Sequence, residues 1–363
     1  MSNIDKALAF EWVATELDKN KFKLSFILLN PGDSHLEGFL KENSIDTYRI
    51  PYRGKKDILK AIKATIQILS KEKAAVIHCH LFDASIIGLL AGRIVRVKKN
   101  IFTRHYSTQH HTYFPKAVYY DKLINMLATD IVAISGNVKK VLVELEGVKP
   151  AKITLIPHGF KLEEFKEVTE DRIKVLQDKY NPHNLKPVIG TISRYTHLKG
   201  LQFTIAAFDR LLKSYPDALL ILANAVGDYT AEIQGLLKNI PKRNYREIRF
   251  EPDIMGLYQL FDVFVHVPID NHSEAFGQTY VEALAAGIPS VFTLSGIANE
   301  FIKDKENALV VDYHNSDAIY TAIENLLEDN ILRNKIINTG RKDVMDRFKL
   351  NKFVHRLEDL YLS

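Results

Sequence analysis

Short apolar runs rich in β-branched residues alternate with longer stretches of helical period along the whole chain. This alternation is typical of parallel sheets built from strand–helix–strand units, so the pattern predicts an α/β protein. In the first half, the predicted strands are Leu24–Leu29, Thr47–Ile50, Ala75–His80, Asn100–Thr103, Ile131–Ile134 and Thr154–Ile156. In the second half, they are Val188–Ser193, Ala218–Ala223, Glu247–Phe250, Val263–His266, Ser290–Thr293 and Ala308–Val311. Helical stretches separate the strands in both halves.

The length of the chain and one turn-rich break predict two domains. A chain of 363 residues is longer than a single hydrophobic core usually supports. After Phe165 the charged segment K-E-V-T-E-D-R leads to the turn-rich N-P-H-N-L-K-P. We therefore assign residues 1–165 to an N-terminal domain and 166–349 to a C-terminal domain, followed by an amphipathic helix in 350–363.

The first element of the chain is unusual for this class. A doubly wound domain normally opens with a strand and a glycine-containing turn, but this chain begins with the helix-like D-K-A-L-A-F-E-W-V-A-T-E-L. The hypothesis is that the first strand and its glycine loop lie before Met1.

The composition predicts a soluble cytoplasmic protein. No apolar run approaches the roughly 20 residues that cross a bilayer, and the first residues do not resemble a signal peptide. The one cysteine, Cys79, lies in the apolar stretch A-A-V-I-H-C-H-L. We expect a buried and inert thiol there, and no disulfide framework.

Charge is distributed unevenly along the chain. Residues 1–165 carry 25 Lys and Arg against 17 Asp and Glu, a net charge of +8, although the whole chain is only +5. The basic half could face an anionic membrane or an acidic acceptor, and its densest cluster runs from Arg93 to Arg104. Ordinary solvated surfaces are the alternative. Nucleic acid is not expected as a partner, because no reader motif occurs.

The most informative segment is E-A-F-G-Q-T-Y-V-E-A-L-A-A-G, which begins at Glu274 and ends at Gly287. It predicts a loop that passes through Gly277 into a helix. Gly277 permits close approach of a ligand to the backbone, and the first amides of the helix suit a phosphate. Glu274 and Glu282 could hold hydroxyl groups at opposite ends of such a ligand, although two glutamates at this spacing are more often exposed helix charges.

A second constellation is P-V-I-G-T-I-S-R-Y-T-H-L-K-G-L, in which a buried strand ends before Arg194 and Lys199. Ligands of open α/β sheets bind at the carboxyl ends of the strands. A guanidinium fork beside an ammonium suits a diphosphate at that edge. Solvated loop cations are the alternative for each residue taken singly.

A third group, T-R-H-Y-S-T-Q-H-H-T-Y-F, follows the strand near Ile101 and contains His105, His110 and His111. The spacing does not match a metal-ligand set, so no metal is expected. Sugar hydroxyls fit this polar and aromatic loop better, and structural histidines are the alternative for His110 and His111.

Taken together, G-T-I-S-R, the following K-G and E-A-F-G-Q-T-Y-V-E-A-L-A-A-G-I-P resemble the retaining glycosyltransferases of family 4, also called glycosyl transferases group 1. The similarity is strongest from Val188 to Leu327. It implies the GT-B fold, which has two Rossmann-like domains with parallel sheets facing across a cleft and a C-terminal helix that crosses back to the N-terminal domain.

The resemblance also implies roles for individual residues. Arg194 and Lys199 would hold the donor diphosphate, Glu274 would contact the transferred sugar and Glu282 the ribose, and His105 would lie near the sugar from the other domain. The donor site would further include Gly277, Gln278 and Thr279.

The implied activity is metal-independent hexosyl transfer from a nucleoside-diphosphate sugar, without a further cofactor. The acceptor would be a hydroxyl group of a glycan, glycolipid or other molecule. The resemblance further implies a role in cell-surface polysaccharide synthesis at the cytoplasmic face of a membrane. Departures from the family pattern at His158, Lys161 and Ala275 leave the donor base and sugar open. A sugar-nucleotide epimerase and a non-catalytic nucleotide-sugar-binding partner remain as alternatives.

Overall fold

The structure is a computed structural model that describes Met1, Ile4, Asp5 and residues 7–363. It divides into two compact units, one of Met1–Phe160 with Leu350–Ser363 and one of Lys161–Lys349. Residues 161–165, which we assigned to the first domain, group with the second unit. There Phe165 packs against Tyr258, with the ring centroids 6.1 Å apart.

The first unit contains two parallel sheets. β1 (Ser25–Leu29) pairs with β2 (Asp46–Ile50), and a second sheet has the order β3 (Val76–His80), β4 (Lys99–Arg104), β5 (Asp130–Ala133) and β6 (Ile153–Leu155). Its helices up to β6 are α1 (Leu8–Glu16), α2 (His35–Glu42), α3 (Ile58–Glu72), α4 (Phe82–Val95), α5 (Gln109–Tyr113), α6 (Ala117–Leu127) and α7 (Gly136–Lys140). All six strands predicted in this half are present.

Met1 continues the hydrogen bonding along β1. Its ammonium group donates to the Ile27 carbonyl at 3.0 Å, and the Leu29 amide donates to the Met1 carbonyl at 2.7 Å. The hypothesis of a further strand before Met1 stays a prediction.

The C-terminal helix, Leu350–Leu362, belongs to the first unit. Its Leu357 and Leu360 join Ile101, Val132 and Ile156 in one apolar cluster. This packing confirms that the chain returns to its N-terminal domain, and the amphipathic pattern of the helix supplies the apolar face that it needs.

The second unit is a six-stranded parallel sheet in the order β12-β11-β10-β7-β8-β9. The strands are β7 (Val188–Ile192), β8 (Leu219–Ala223), β9 (Tyr245–Ile248), β10 (Val263–His266), β11 (Ser290–Phe292) and β12 (Leu309–Val310). The helices are α8 (Glu170–Tyr180), α9 (Leu201–Ser214), α10 (Thr230–Leu237), α11 (Ile254–Tyr258), α12 (Gln278–Ala286), α13 (Ala298–Phe301), α14 (Ser316–Glu328) and α15 (Asn330–Arg347). The predicted α/β class and parallel sheets are confirmed.

The strand order of this sheet determines where a ligand can bind. From β7 the chain winds through β8 to β9 on one side, and it then returns to build β10 to β12 on the other side. The carboxyl ends of β7 and β10 therefore flank the switch point of the sheet, where the outgoing loops diverge and leave a crevice. Gly190 permits the close packing of β7, because a Cβ atom at this position would lie 2.3 Å from the Phe261 ring.

The predicted basic cluster is only partly on the surface. Arg93, Arg96 and Lys98 are exposed, but Lys99 and Arg104 are buried, at 9% and 0% exposure. Lys99 donates to the Leu360 carbonyl at 2.6 Å, so the C-terminal helix covers it. The cluster from Arg93 to Arg104 therefore does not form a single basic surface.

The structure also bears on the predictions for Cys79 and for membrane-spanning segments. Cys79 is 4% exposed, and burial raises the pKa of its thiol to about 12, as expected for an inert group. None of the described helices has the length and apolar character that spanning a bilayer requires.

Candidate functional site

The loop after β10 leads into α12 through Gly277, as predicted. Gly277 has a φ of +86°, and a Cβ atom on it would lie 2.5 Å from the Tyr280 ring, so only glycine fits. Gln278, the first residue of α12, is exposed. The start of α12 therefore directs backbone N–H groups toward the carboxyl edge of the sheet, which favours an anionic group.

The loop after β7 is joined to the loop after β10. Gly200 has a φ of +69°, and a Cβ atom on it would lie 1.9 Å from the Val267 carbonyl oxygen. The Ile269 amide donates to the Leu198 carbonyl at 3.1 Å. These contacts fix the short 3-10 turn His197–Lys199 beside the end of β10.

Lys199 and Glu274 meet because of this arrangement. The Lys199 ammonium Nζ lies 2.5 Å from Oε1 of Glu274, and the two side chains are 18% and 10% exposed. Ser295 Oγ accepts a hydrogen bond from the Glu274 amide at 2.9 Å. The structure thus brings together two of the residues that the sequence analysis placed at one sheet edge.

His266 completes this cluster, and the sequence analysis missed it. Its Nε2 lies 2.9 Å from the same Oε1 of Glu274, and the residue is 2% exposed. A signal was present in the sequence, since His266 interrupts the apolar run of β10 at its carboxyl end.

The three side chains of the cluster affect one another's protonation. Burial by itself would raise the pKa of Glu274, but the Lys199 ammonium and the His266 hydrogen bond outweigh burial, and the pKa falls to about 2. Burial also lowers the pKa of His266 below its usual range. Near neutral pH the cluster therefore contains an ionised carboxylate and a neutral imidazole that donates its Nε2–H.

The pKa of Glu282 is shifted in the opposite direction from that of Glu274. The Tyr258 hydroxyl donates to its Oε2 at 2.9 Å. Glu282 keeps some solvent contact, yet protein surrounds its carboxylate, and burial raises its pKa to about 7 although the Tyr258 hydrogen bond acts in the other direction.

Arg194 lies on the surface. Its side chain is exposed, and among the described residues it makes no ion pair. Its neighbour Ser193 is buried. The structure therefore places Arg194 at the predicted loop but does not bring it into the Lys199–Glu274 cluster.

Several buried polar atoms around the cluster have no hydrogen-bond partner within the part of the chain that the structure describes. Such atoms are rare in folded proteins, because leaving them unpaired is costly. They lie in the segments that follow or end β7 and β10, or in the first turn of α12. They are Ser193 Oγ, His266 Nδ1, Ser273 Oγ and Thr279 Oγ1. A polar ligand at this edge of the sheet could satisfy them.

In the first unit, His105 belongs to a group of neutral imidazoles. Its Nε2 lies 3.1 Å from His80 Nδ1, and its ring stacks on His158 with the centroids 5.6 Å apart. Burial lowers the pKa of His105 to about 4 and that of His158 to about 3. Across the described residues, no group of three His, Cys, Asp or Glu side chains is arranged to hold a metal ion.

His110 and His111 have structural partners. His110 Nδ1 lies 2.8 Å from Asp121, and His111 Nε2 lies 3.2 Å from Glu146. Both carboxylates also contact the Arg104 guanidinium, which is fully buried. These contacts support the structural alternative for the two histidines.

Two families match the sequence of this chain. The sequence pattern of the family described as Glycosyl transferases group 1 matches residues 173–343, and that of Glycosyltransferase Family 4 matches residues 13–164. Together the two matches span most of the chain. The chain belongs to the group 1 glycosyltransferases.

Two curated relatives are similar over most of their length. The capsular polysaccharide biosynthesis glycosyltransferase CapM of Staphylococcus aureus is 28% identical over 316 residues, which is 84% of this chain and 80% of CapM. The UDP-Gal:alpha-D-GlcNAc-diphosphoundecaprenol alpha-1,3-galactosyltransferase of Escherichia coli is 23% identical over 324 residues, 84% of this chain and 79% of that enzyme.

A solved structure confirms the fold. HepE of Anabaena, determined in complex with UDP-glucose, superposes with a TM-score of 0.84 at 18% identity, over 99% of this chain and 97% of HepE. The predicted GT-B class is therefore correct.

Proposed function

We propose that this protein transfers a sugar from a nucleoside-diphosphate sugar to a hydroxyl group of a glycan or lipid-linked acceptor, with retention of anomeric configuration and without a metal ion. The cluster of Lys199, His266 and Glu274 carries the proposal. It lies at the switch point of the sheet, beside the start of α12 and buried polar atoms that lack protein partners. A diphosphate with a sugar attached has phosphate oxygens and hydroxyl groups that can pair with the cluster, the α12 amides and the buried polar atoms.

Charge complementarity supports a diphosphate donor. Lys199 and the exposed Arg194 follow the same strand, and the amides at Gly277 and Gln278 add the positive end of a helix dipole. Departure of the nucleoside diphosphate leaves an oxocarbenium-like sugar. These groups stabilise the negative charge that develops on the leaving diphosphate, so a divalent cation is not required.

Glu274 suits contact with the transferred sugar. It is ionised at neutral pH, and an ionised carboxylate accepts strong hydrogen bonds from sugar hydroxyls. In a retaining reaction on one face of the sugar, an oxygen of the departing phosphate accepts the proton of the acceptor hydroxyl. No side chain of this cluster needs to act as a base.

The relatives support a role in the synthesis of surface glycans. CapM is a capsular polysaccharide enzyme by name, and the E. coli relative uses UDP-galactose and a lipid diphosphate acceptor by name. HepE binds UDP-glucose. We therefore propose a UDP-hexose as the first donor to test, and a lipid-linked saccharide as the acceptor.

A surface of the first unit supports peripheral contact with an anionic membrane at its cytoplasmic face. The exposed side of α5 and α6 combines aromatic and basic residues, which is typical of segments that lie in a membrane interface. Tyr119 is 77% exposed and Met126 is 66% exposed. The members of this aromatic–lysine surface are Tyr113, Phe114, Lys116, Tyr119, Tyr120, Lys122 and Met126.

Vesicle co-sedimentation tests the membrane contact. Binding should be stronger to vesicles of phosphatidylcholine with phosphatidylglycerol than to phosphatidylcholine alone, and a Tyr119→Ser, Met126→Ser double variant should weaken it. Ile331→Ser, which removes an apolar side chain that is 85% exposed on the second unit, is the matched control. Equal binding by wild type and the double variant would contradict the contact.

The transfer reaction is tested by incubating the protein with UDP, GDP and ADP sugars, with and without acceptor, in the presence of EDTA. We expect nucleotide release that depends on the acceptor, and a product whose anomeric configuration by NMR equals that of the donor. Conversion of the donor without acceptor would indicate an epimerase. Binding of a donor without any turnover would indicate a non-catalytic partner.

A further inference from the structure

His266 occupies a position that an apolar residue would fill at less cost. It ends β10 after Val263, Phe264 and Val265, and it is 2% exposed. Its ring contacts the edge of Tyr280, with the centroids 4.8 Å apart. An imidazole buried so deeply loses its hydration, and only one of its two nitrogens has a partner among the described residues.

We propose that His266 is a positioning residue for Glu274. It donates Nε2–H to the carboxylate and holds it at the edge of the sheet while Lys199 turns toward the donor diphosphate. This inference rests on the proposed function, because it assigns Lys199 to the diphosphate.

The geometry of the shared oxygen carries the argument. Lys199 Nζ and His266 Nε2 both contact Oε1 of Glu274, at 2.5 and 2.9 Å. A diphosphate carries more negative charge than one carboxylate, and a lysine side chain has a flexible stem. Donor binding therefore draws the ammonium away from Glu274, while the His266 Nε2–H stays on Oε1.

The main chain of Glu274 is already fixed, which leaves the side chain as the part to be positioned. Its amide is bound to Ser295, and a Cβ atom at Gly296 would lie 2.9 Å from the Glu274 Cβ. The His266 ring is held by burial and by Tyr280, so it is a rigid donor. Rigid support of a group that contacts substrate is what a reaction with strict geometry needs.

The experiment compares His266→Phe with His266→Gln. Phenylalanine keeps an aromatic ring beside Tyr280 but has no donor, and glutamine carries an amide N–H that can reach the position of Nε2. We expect His266→Phe to lower kcat on the order of 10- to 100-fold while the donor KM changes by less than about threefold, and His266→Gln to recover most of the loss. Equal activity of the two variants, or wild-type activity of His266→Phe, overturns the proposal.

A double-variant cycle separates positioning from packing. In a Glu274→Gln background, His266→Phe should produce little further loss of kcat, because its effect passes through Glu274. A purely structural role of His266 would add its full effect in that background, which would also overturn the proposal.

Nitrogen NMR of the histidine rings gives a readout that needs no activity. The His266 ring should show the Nε2–H tautomer, its shift should change in Glu274→Ala, and this Glu274-dependent shift should persist when UDP is added. If the wild type transfers no sugar, the proposed function fails, and this measurement then decides the His266–Glu274 link alone. Loss of the dependence on Glu274 overturns the inference.

Discussion

Each unit buries a cation against carboxylates, but the two groups differ in how completely they are enclosed. In the first unit, Arg104, Asp121 and Glu146 are all 0% exposed. In the second unit, Lys199 and Glu274 keep 18% and 10% exposure, and buried polar atoms nearby lack protein partners. A fully enclosed network fixes a loop, whereas a partly open one beside unpaired polar atoms is suited to a ligand.

The largest expected effect is the loss of stability when Arg104 is removed from its network with Asp121 and Glu146. Arg104→Met removes the guanidinium and leaves two carboxylates buried without their cation, which should lower the free energy of unfolding by about 3–5 kcal/mol. Urea denaturation measures it. Arg356→Met, at an exposed position of the same unit, is the control and should change stability by less than about 0.5 kcal/mol. A small effect of Arg104→Met would mean that the enclosed network does not hold the first unit together.

Changes in the open cluster should lower activity while the protein still folds. Lys199→Ala or Glu274→Ala should lower kcat/KM by about 10²- to 10³-fold, because each removes a charged group from the reacting centre. The fold should remain intact by circular dichroism. Lys213→Ala, at an exposed lysine of α9, should leave turnover unchanged. Wild-type turnover in both site variants would contradict the site assignment.

Sequence alone was sufficient for the features that depend on local pattern. Alternating strands and helices predicted the sheets, and Gly277 was identifiable because only glycine suits that turn. Lys199 and Glu274 could be placed together because parallel strands end at a common edge.

The remaining features depend on packing between distant segments. Arg104 and Lys99 were predicted on the surface because the sequence does not show that the C-terminal helix covers Lys99, or that Glu146 and Asp121 enclose Arg104. His266 was missed for a related reason. The sequence does not show that the Glu274 carboxylate, eight residues later, folds back onto the imidazole of this buried strand.

The two glutamates of the candidate site should respond to pH in opposite directions. Burial raises the pKa of Glu282 from 4.5 to about 7, so its contribution favours the folded state at acid pH and is lost as the pH rises from 4.5 through 7. Glu282→Gln should therefore raise stability relative to wild type by up to about 3 kcal/mol at pH 8 and by little at pH 4.

Glu274 is the contrasting case. Its pKa is lowered from 4.5 to about 2, so its contribution is present above pH 4.5 and is lost as the pH falls toward 2. Urea denaturation of Glu274→Gln and Glu282→Gln between pH 2 and 8 measures both. Parallel pH profiles for the two variants would mean that the carboxylates have similar environments, which would remove the contrast between them.

The smallest stability effect should come from Arg194, and it sharpens the comparison most directly. Arg194 is exposed and makes no ion pair among the described residues, so Arg194→Ala should change the free energy of unfolding by less than about 0.5 kcal/mol. If Arg194 binds the diphosphate, the donor KM should nevertheless rise about tenfold, equivalent to about 1.4 kcal/mol. Arg210→Ala, which breaks a surface pair with Asp317, is the matched control and should change neither quantity appreciably. A cation that matters for the donor but not for the fold has its partner in the ligand, whereas Arg104 has its partners in the protein.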